Sequence, residues 1–136
     1  MKATEFLAGL YDSFGRGDVP AVLGSMDPEI RWHEAEGNPY QPTGEPWVGP
    51  EAVLNNLFVK LAEEWDGFSV HPQTYHDAGG VVVVEARYTG TYKGTGKAID
   101  AQVCHVWTVE NGKITKFQQY VDTAVIQDAM GARLGS

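Results

Sequence analysis

The sequence predicts an α+β domain whose helices group against one face of a curved antiparallel sheet. Three observations carry this. Apolar residues of the first half recur with helical spacing, those after Asp66-Gly67 recur at every second residue, and short Gly-rich or Asn-Gly turns cut that second half into four runs.

Phe6, Leu7, Leu10, Tyr11 and Phe14 form one stripe of a first helix that ends near Gly15-Arg16-Gly17. Asp18 has the place of an N-cap for a short second helix carrying Val22, Leu23 and Met26, stopped by Asp27-Pro28. Ile30, Trp32 and Glu34 then alternate with Arg31 and His33 as a short strand, and a Pro-rich loop with Tyr40 and Trp47 runs from Gly37 to Gly49. Gly49-Pro50-Glu51 starts a helix, because a proline at the first helical position gives up no useful N–H and an acid there suits the dipole. Val53, Leu54, Leu57, Phe58, Leu61 and Trp65 mark its apolar face. Strands follow at Phe68 to Tyr75, Val81 to Tyr92, Ile99 to Val109 and Ile114 to Val121, with Asn111-Gly112 as the clearest hairpin turn. Thr123 onward reads as a short final helix before a loose Gly-Ser tail.

The chain has 136 residues and a formal net charge of −8. That length means a single domain, residues 1–136, with an ordered core from about 4 to 130. It suffices to bury a core without disulfides or a structural metal. A pI near 4.8 argues against nucleic acid or an anionic membrane as partner. The charge is uneven: 12 acids stand against 4 bases through Asp66, and 6 against 6 thereafter. Cys104 is the single cysteine, so neither a disulfide framework nor a multi-Cys zinc site can form within the chain. Met1 to Glu5 shows no signal-peptide pattern, and no apolar run reaches the ~20 residues a bilayer requires, so a cytoplasmic protein is expected.

Several site types fail on spacing. Gly90 to Ala98 resembles a phosphate loop, but its first glycine is displaced and Ala98 replaces the magnesium-binding Ser or Thr. His71 and His76, five apart on a strand, are expected on opposite faces. No metal site and no cofactor are expected. What remains is a set of polar residues on apolar strand faces. Val103, His105, Trp107 and Val109 share a face of the third long strand, expected to meet the helices. Gln118, Tyr120 and Asp122 share one face of the last strand, opposite Phe117, Gln119 and Val121. Asp122 ends a stretch of four uncharged residues, where partial desolvation would raise its pKa toward a general-base value. It equally suits an N-cap for the final helix. His105 reads as an acid or donor, or as a core histidine bonded to a carbonyl. Glu34 is a pocket acid or a rim residue, and Trp32 and Trp107 are core or pocket wall.

Phe14 to Asp18, Pro20 to Leu23, Asp27 to Trp32, Gly44 to Val53, Thr95-Gly96-Lys97, His105-Val106-Trp107, Asn111 to Ile114 and Tyr120 to Ala124 together resemble the SnoaL-like, ketosteroid-isomerase-related branch of the nuclear-transport-factor-2-like superfamily. The resemblance runs from about Phe6 to Ala129. It implies a cone of sheet around the N-terminal helices, one mostly apolar pocket and a homodimer through the sheet's outer face. It leaves function open among isomerases, cyclases, hydrolases, dehydratases and binding modules. The general-base Asp of the steroid isomerases falls at Trp32 here, and their first-helix tyrosine falls at Leu10, one residue before Tyr11. Their acidic donor falls at His105 or Cys104. The acid that SnoaL-type cyclases carry near the last strand resembles Asp122.

The expectation is therefore a pocket lined by Trp32, Glu34, Tyr40, Trp47, Trp107 and Tyr120, with Asp122 as general base and His105 as donor. The expected substrate is small, apolar and carbonyl-bearing, neutral or cationic because acids such as Glu34, Glu36 and Glu45 would repel anions at the mouth. The alternative is a binding module for an apolar metabolite, without chemistry.

Overall fold

A computed structural model describes residues 2–131. In chain order the elements are α1 (Ala3–Gly15), α2 (Val19–Gly24), β1 (Met26–His33), β2 (Trp47–Val48), α3 (Pro50–Val53), a π-helical turn (Leu54–Phe58), α4 (Val59–Glu64), β3 (Trp65–Asp77), β4 (Val81–Tyr92), β5 (Ala98–Glu110), β6 (Lys113–Val121) and α5 (Thr123–Met130). The tail expected at 131–136 lies, but for Gly131, outside the described residues.

Six strands form one curved, unclosed sheet in the order β2-β1-β6-β5-β4-β3. β3 to β6 are an antiparallel meander, as the period-two pattern predicts. The sheet is not wholly antiparallel: β1 joins β6 in parallel, and β2, inside the expected loop, pairs antiparallel with β1. The Asn111-Gly112 turn closes the β5–β6 hairpin with φ of 51° and 73°. Positive φ at both central residues matches the strands' right-handed twist, and glycine adopts it without a side-chain clash.

Asp18 caps α2 by accepting from the Ala21 N–H at 3.2 Å. α2 stops at Gly24, earlier than expected, which moves Met26 from the predicted helix face to the start of β1. Pro50 opens the third helical stretch, whose α-helical pairing is interrupted at Leu54–Phe58 by one π turn. Leu57 and Phe58, both within that turn, are buried as the predicted apolar face requires. Trp65 belongs to β3, not to the preceding helix.

The helices pack on one face of the sheet, α1 over β3 and β4 and α5 over β5. The inward face of β4 presents Val82, Val84, Ala86 and Tyr88, and that of β5 presents Ala101, Val103, His105 and Trp107, all buried. The outer face is polar, with Arg87 Nε donating to Asp100 at 2.7 Å. A register shift between Pro72 and Thr74 puts His71 and His76 on the same side, bonded to Thr89 and Glu85 of β4, and not on the opposite sides expected. Among the described residues no group of three or more His, Cys, Asp or Glu side chains is placed to hold a metal, and no helix is long and apolar enough to cross a membrane.

Candidate functional site

The concave face of the sheet and the helices over it enclose a cavity with about 60 Å³ open to the centre of a water molecule. That is room for several waters or a compact ligand. Its walls are mostly aromatic, and its polar groups come from α1, from the segment that follows β1, and from β4, β5 and β6. Of the residues expected there, Trp32, Glu34, Tyr40, His105 and Trp107 line it.

Three expectations are corrected. Tyr120 is 60% exposed, and both it and Asp122 border a groove on the outer side of the sheet with Gln102 and Cys104. Trp47 is half-buried on β2 and lies outside the cavity lining. The cause for Tyr120 and Asp122 is a bulge: Val109 pairs with Ile114 but Thr108 pairs with Lys116, so Thr115 is an extra residue. Alternation counted from buried Ile114 puts Gln118, Tyr120 and Asp122 inside. The extra residue reverses it, so that Phe117 and Gln119 point inward and Asp122 is carried to the far side from His105. There the Asp122 carboxylate accepts from the Val125 N–H at 3.3 Å as the N-cap of α5. An Asp122→Ala variant is expected to lose about 1 kcal/mol of stability in urea unfolding.

Glu34, at 6% exposure, is the acid that does enter the cavity wall. Its Oε2 accepts from Trp32 Nε1 at 3.0 Å and its Oε1 from Gln119 Nε2 at 3.4 Å. Burial pushes its pKa up from 4.5 to about 7, against the lowering by those two donors. Its backbone is pinned as well, since the Glu34 N–H donates to Gln41 Oε1 while Gln41 Nε2 donates to the Trp32 carbonyl.

Gln119, at 3% exposure, joins Glu34 to the rest of the polar cluster. Its Oε1 accepts from the Ala35 N–H at 3.2 Å and from Asn38 Nδ2 at 2.9 Å. Those two donors orient the amide, so its Nε2 must face Glu34 and the Tyr88 hydroxyl, the latter at 2.9 Å. Because Gln119 satisfies four buried groups, Gln119→Leu is expected to cost about 2–4 kcal/mol in urea unfolding.

His105, at 4% exposure, sits between two tyrosines, its Nδ1 2.6 Å from the Tyr11 hydroxyl and its Nε2 2.6 Å from that of Tyr88. Burial pulls its pKa down from 6.5 to about 3, so the ring is neutral at pH 7. Burial likewise raises both tyrosines, which stay protonated. Trp107 Nε1 donates to the Tyr11 hydroxyl at 2.9 Å. One hydrogen-bonded chain thus runs Glu34, Gln119, Tyr88, His105, Tyr11, Trp107. Elsewhere on the wall, Tyr40 donates to Glu64 at 2.6 Å and accepts from Trp65 Nε1 at 2.9 Å.

Chemically, such a cavity offers one carboxyl able to take or give a proton near neutrality and two neutral phenols able to donate to an oxygen. Sequence reasoning missed Tyr11, Tyr88, Asn38 and Gln119. Tyr11 lies on the apolar stripe of α1, and Tyr88 follows Val82, Val84 and Ala86 in strict alternation, so both carried a signal.

Residues 7–117 match the family model of the SnoaL-like domain. The chain belongs to the SnoaL-like family. Solved structures agree on the fold of this SnoaL-like domain. An NTF2-like protein from Burkholderia thailandensis is 36% identical over 93% of this chain and 95% of its own, with a TM-score of 0.86. A putative SnoaL-like polyketide cyclase from Jannaschia is 20% identical, covers 96% of this chain and 92% of its own, and has a TM-score of 0.77. A protein of ketosteroid isomerase-like fold from Catenulispora acidiphila, in complex with trimethylamine, is 16% identical over 97% and 96%, with a TM-score of 0.78. No curated protein gives a significant match.

Proposed function

We propose that this SnoaL-like domain is an enzyme of the isomerase or cyclase type that moves protons on a small, apolar, carbonyl-bearing substrate, using side chains alone. The observation that carries the reading is Glu34: a carboxyl with a pKa near 7, walled in by aromatic rings and held in one hydrogen-bonded network with two tyrosine hydroxyls. In this scheme ionised Glu34 takes a proton from the carbon next to the carbonyl. The electron pair moves onto the carbonyl oxygen, which a tyrosine hydroxyl stabilises, and protonated Glu34 returns the proton to the same or another carbon. The role first expected of Asp122 passes to Glu34, and that expected of His105 passes to the hydroxyls it touches.

Deuterium exchange from D2O into cyclohexanone and cyclopentenone tests the reading. Catalysed exchange that rises with pH through an apparent pKa near 7 is the expected result, and exchange no faster than in buffer counts against it. A second reading is a binding module for an apolar metabolite. It is favoured by the fact that, among the described residues, no buried polar side-chain atom lacks a partner. Binding of these ketones without exchange selects it. The proposal keeps the neutral or cationic ligand, and a homodimer through the outer sheet face where Tyr120 is exposed.

A further inference from the structure

The imidazole of His105 can carry one proton on either nitrogen, and each nitrogen faces a phenol that already receives another N–H. Trp107 Nε1 donates to the Tyr11 oxygen and Gln119 Nε2 to the Tyr88 oxygen. Each hydroxyl can therefore spend its own proton in two ways, on the ring or on something in the cavity that both residues line.

If the proton is on Nδ1, that N–H donates to the Tyr11 oxygen, Nε2 is a lone pair, and the Tyr88 hydroxyl must donate to it. The Tyr11 proton is then the spare one. If the proton is on Nε2, the pattern reverses and the Tyr88 proton is spare. The Tyr11 and His105 ring planes are parallel to within 4°, and the Tyr11 hydroxyl lies 2.6 Å from Nδ1.

We infer that His105 is a tautomeric positioning residue that makes Tyr11 and Tyr88 an either-or pair, so that the cavity offers one hydroxyl proton to a ligand at a time. A ligand oxygen accepting from Tyr11 fixes the ring proton on Nδ1, and one accepting from Tyr88 fixes it on Nε2. A ligand with a single acceptor oxygen, such as a ketone, an ester carbonyl or an enol, is served in either state. A carboxylate bridging both hydroxyls is not, because both ring nitrogens would then have to be donors and the ring would be a buried cation.

The ligand side of this relay rests on the acid–base reading above. The ring's protonation in the free protein does not, so a failed tautomer experiment and a failed exchange experiment are told apart. The test is 15N NMR of the His105 ring in protein labelled at histidine, for the wild type, Tyr11→Phe and Tyr88→Phe. An unpartnered buried N–H costs more than an unpartnered ring lone pair, so each variant is expected to put the proton on the nitrogen that keeps its tyrosine. Tyr11→Phe gives Nε2–H and Tyr88→Phe gives Nδ1–H. The same tautomer in both variants overturns the relay. The wild type, which does not depend on a variant folding, must show a singly protonated ring over about pH 5 to 8. A doubly protonated ring in that range overturns the relay too.

Discussion

Glu34→Gln lowers carbon-bound proton exchange by about 10²–10⁴-fold, the usual contribution of a positioned general base. The amide has nearly the shape of the carboxyl and keeps an oxygen for the Trp32 indole, losing only the longer bond from Gln119 Nε2 at 3.4 Å, so the packing is kept and the loss of exchange is chemical. Asp122→Ala is the matched control. Asp122 caps α5 outside the cavity lining, so this variant keeps the wild-type exchange rate although it is slightly less stable. An exchange rate that survives Glu34→Gln, or falls with Asp122→Ala, reverses the assignment.

The same residue leaves a signature in stability against pH. Glu34 has its pKa raised from 4.5 to about 7 in the folded protein, so the native state holds a proton that the unfolded chain has released. Its contribution to stability is fully present below about 4.5 and is lost as pH rises through 7. His105 behaves oppositely. Its pKa is lowered from 6.5 to about 3, so its contribution is present above 6.5 and lost as pH falls toward 3. Between 4.5 and 6.5 the two slopes, each about 1.4 kcal/mol per pH unit, cancel. Glu34→Gln removes one of them. Other titrating groups act alike in both proteins, so the difference between the variant and wild-type unfolding free energies isolates Glu34. Over pH 4.5 to 7 that difference moves by about 3 kcal/mol in favour of the variant, read from urea transitions. Parallel curves show that Glu34 titrates alike folded and unfolded.

Much of this architecture is legible in residue spacing. The stripe Leu7, Leu10, Tyr11 and the alternation Val82, Val84, Ala86, Tyr88 each follow from one period, and the Asn111-Gly112 turn is written in two residues. The site is less legible because it depends on a break in period. One extra residue at Thr115 reverses every side chain of β6 beyond it, exchanging Asp122 for Gln119, and no local pattern announces that bulge. The parallel pairing of β1 with β6 is equally hidden, since it joins segments far apart in the chain. Glu34 and His105 were visible because His105 alternates with bulky apolar residues on β5, and Glu34 continues the alternation of Ile30 and Trp32 just past the end of β1. Their roles were not, because the Gln119 amide and the two tyrosines that bind them come from elsewhere in the sequence.

The most direct measurement is a 13C NMR titration of the Glu34 side-chain carboxyl in the free protein, assigned by its absence in Glu34→Gln. A midpoint near pH 7 is the result that a buried acid poised for proton transfer requires. A midpoint near the ordinary 4.5 would mean a carboxylate permanently ionised and solvated, and would contradict the proposed chemistry.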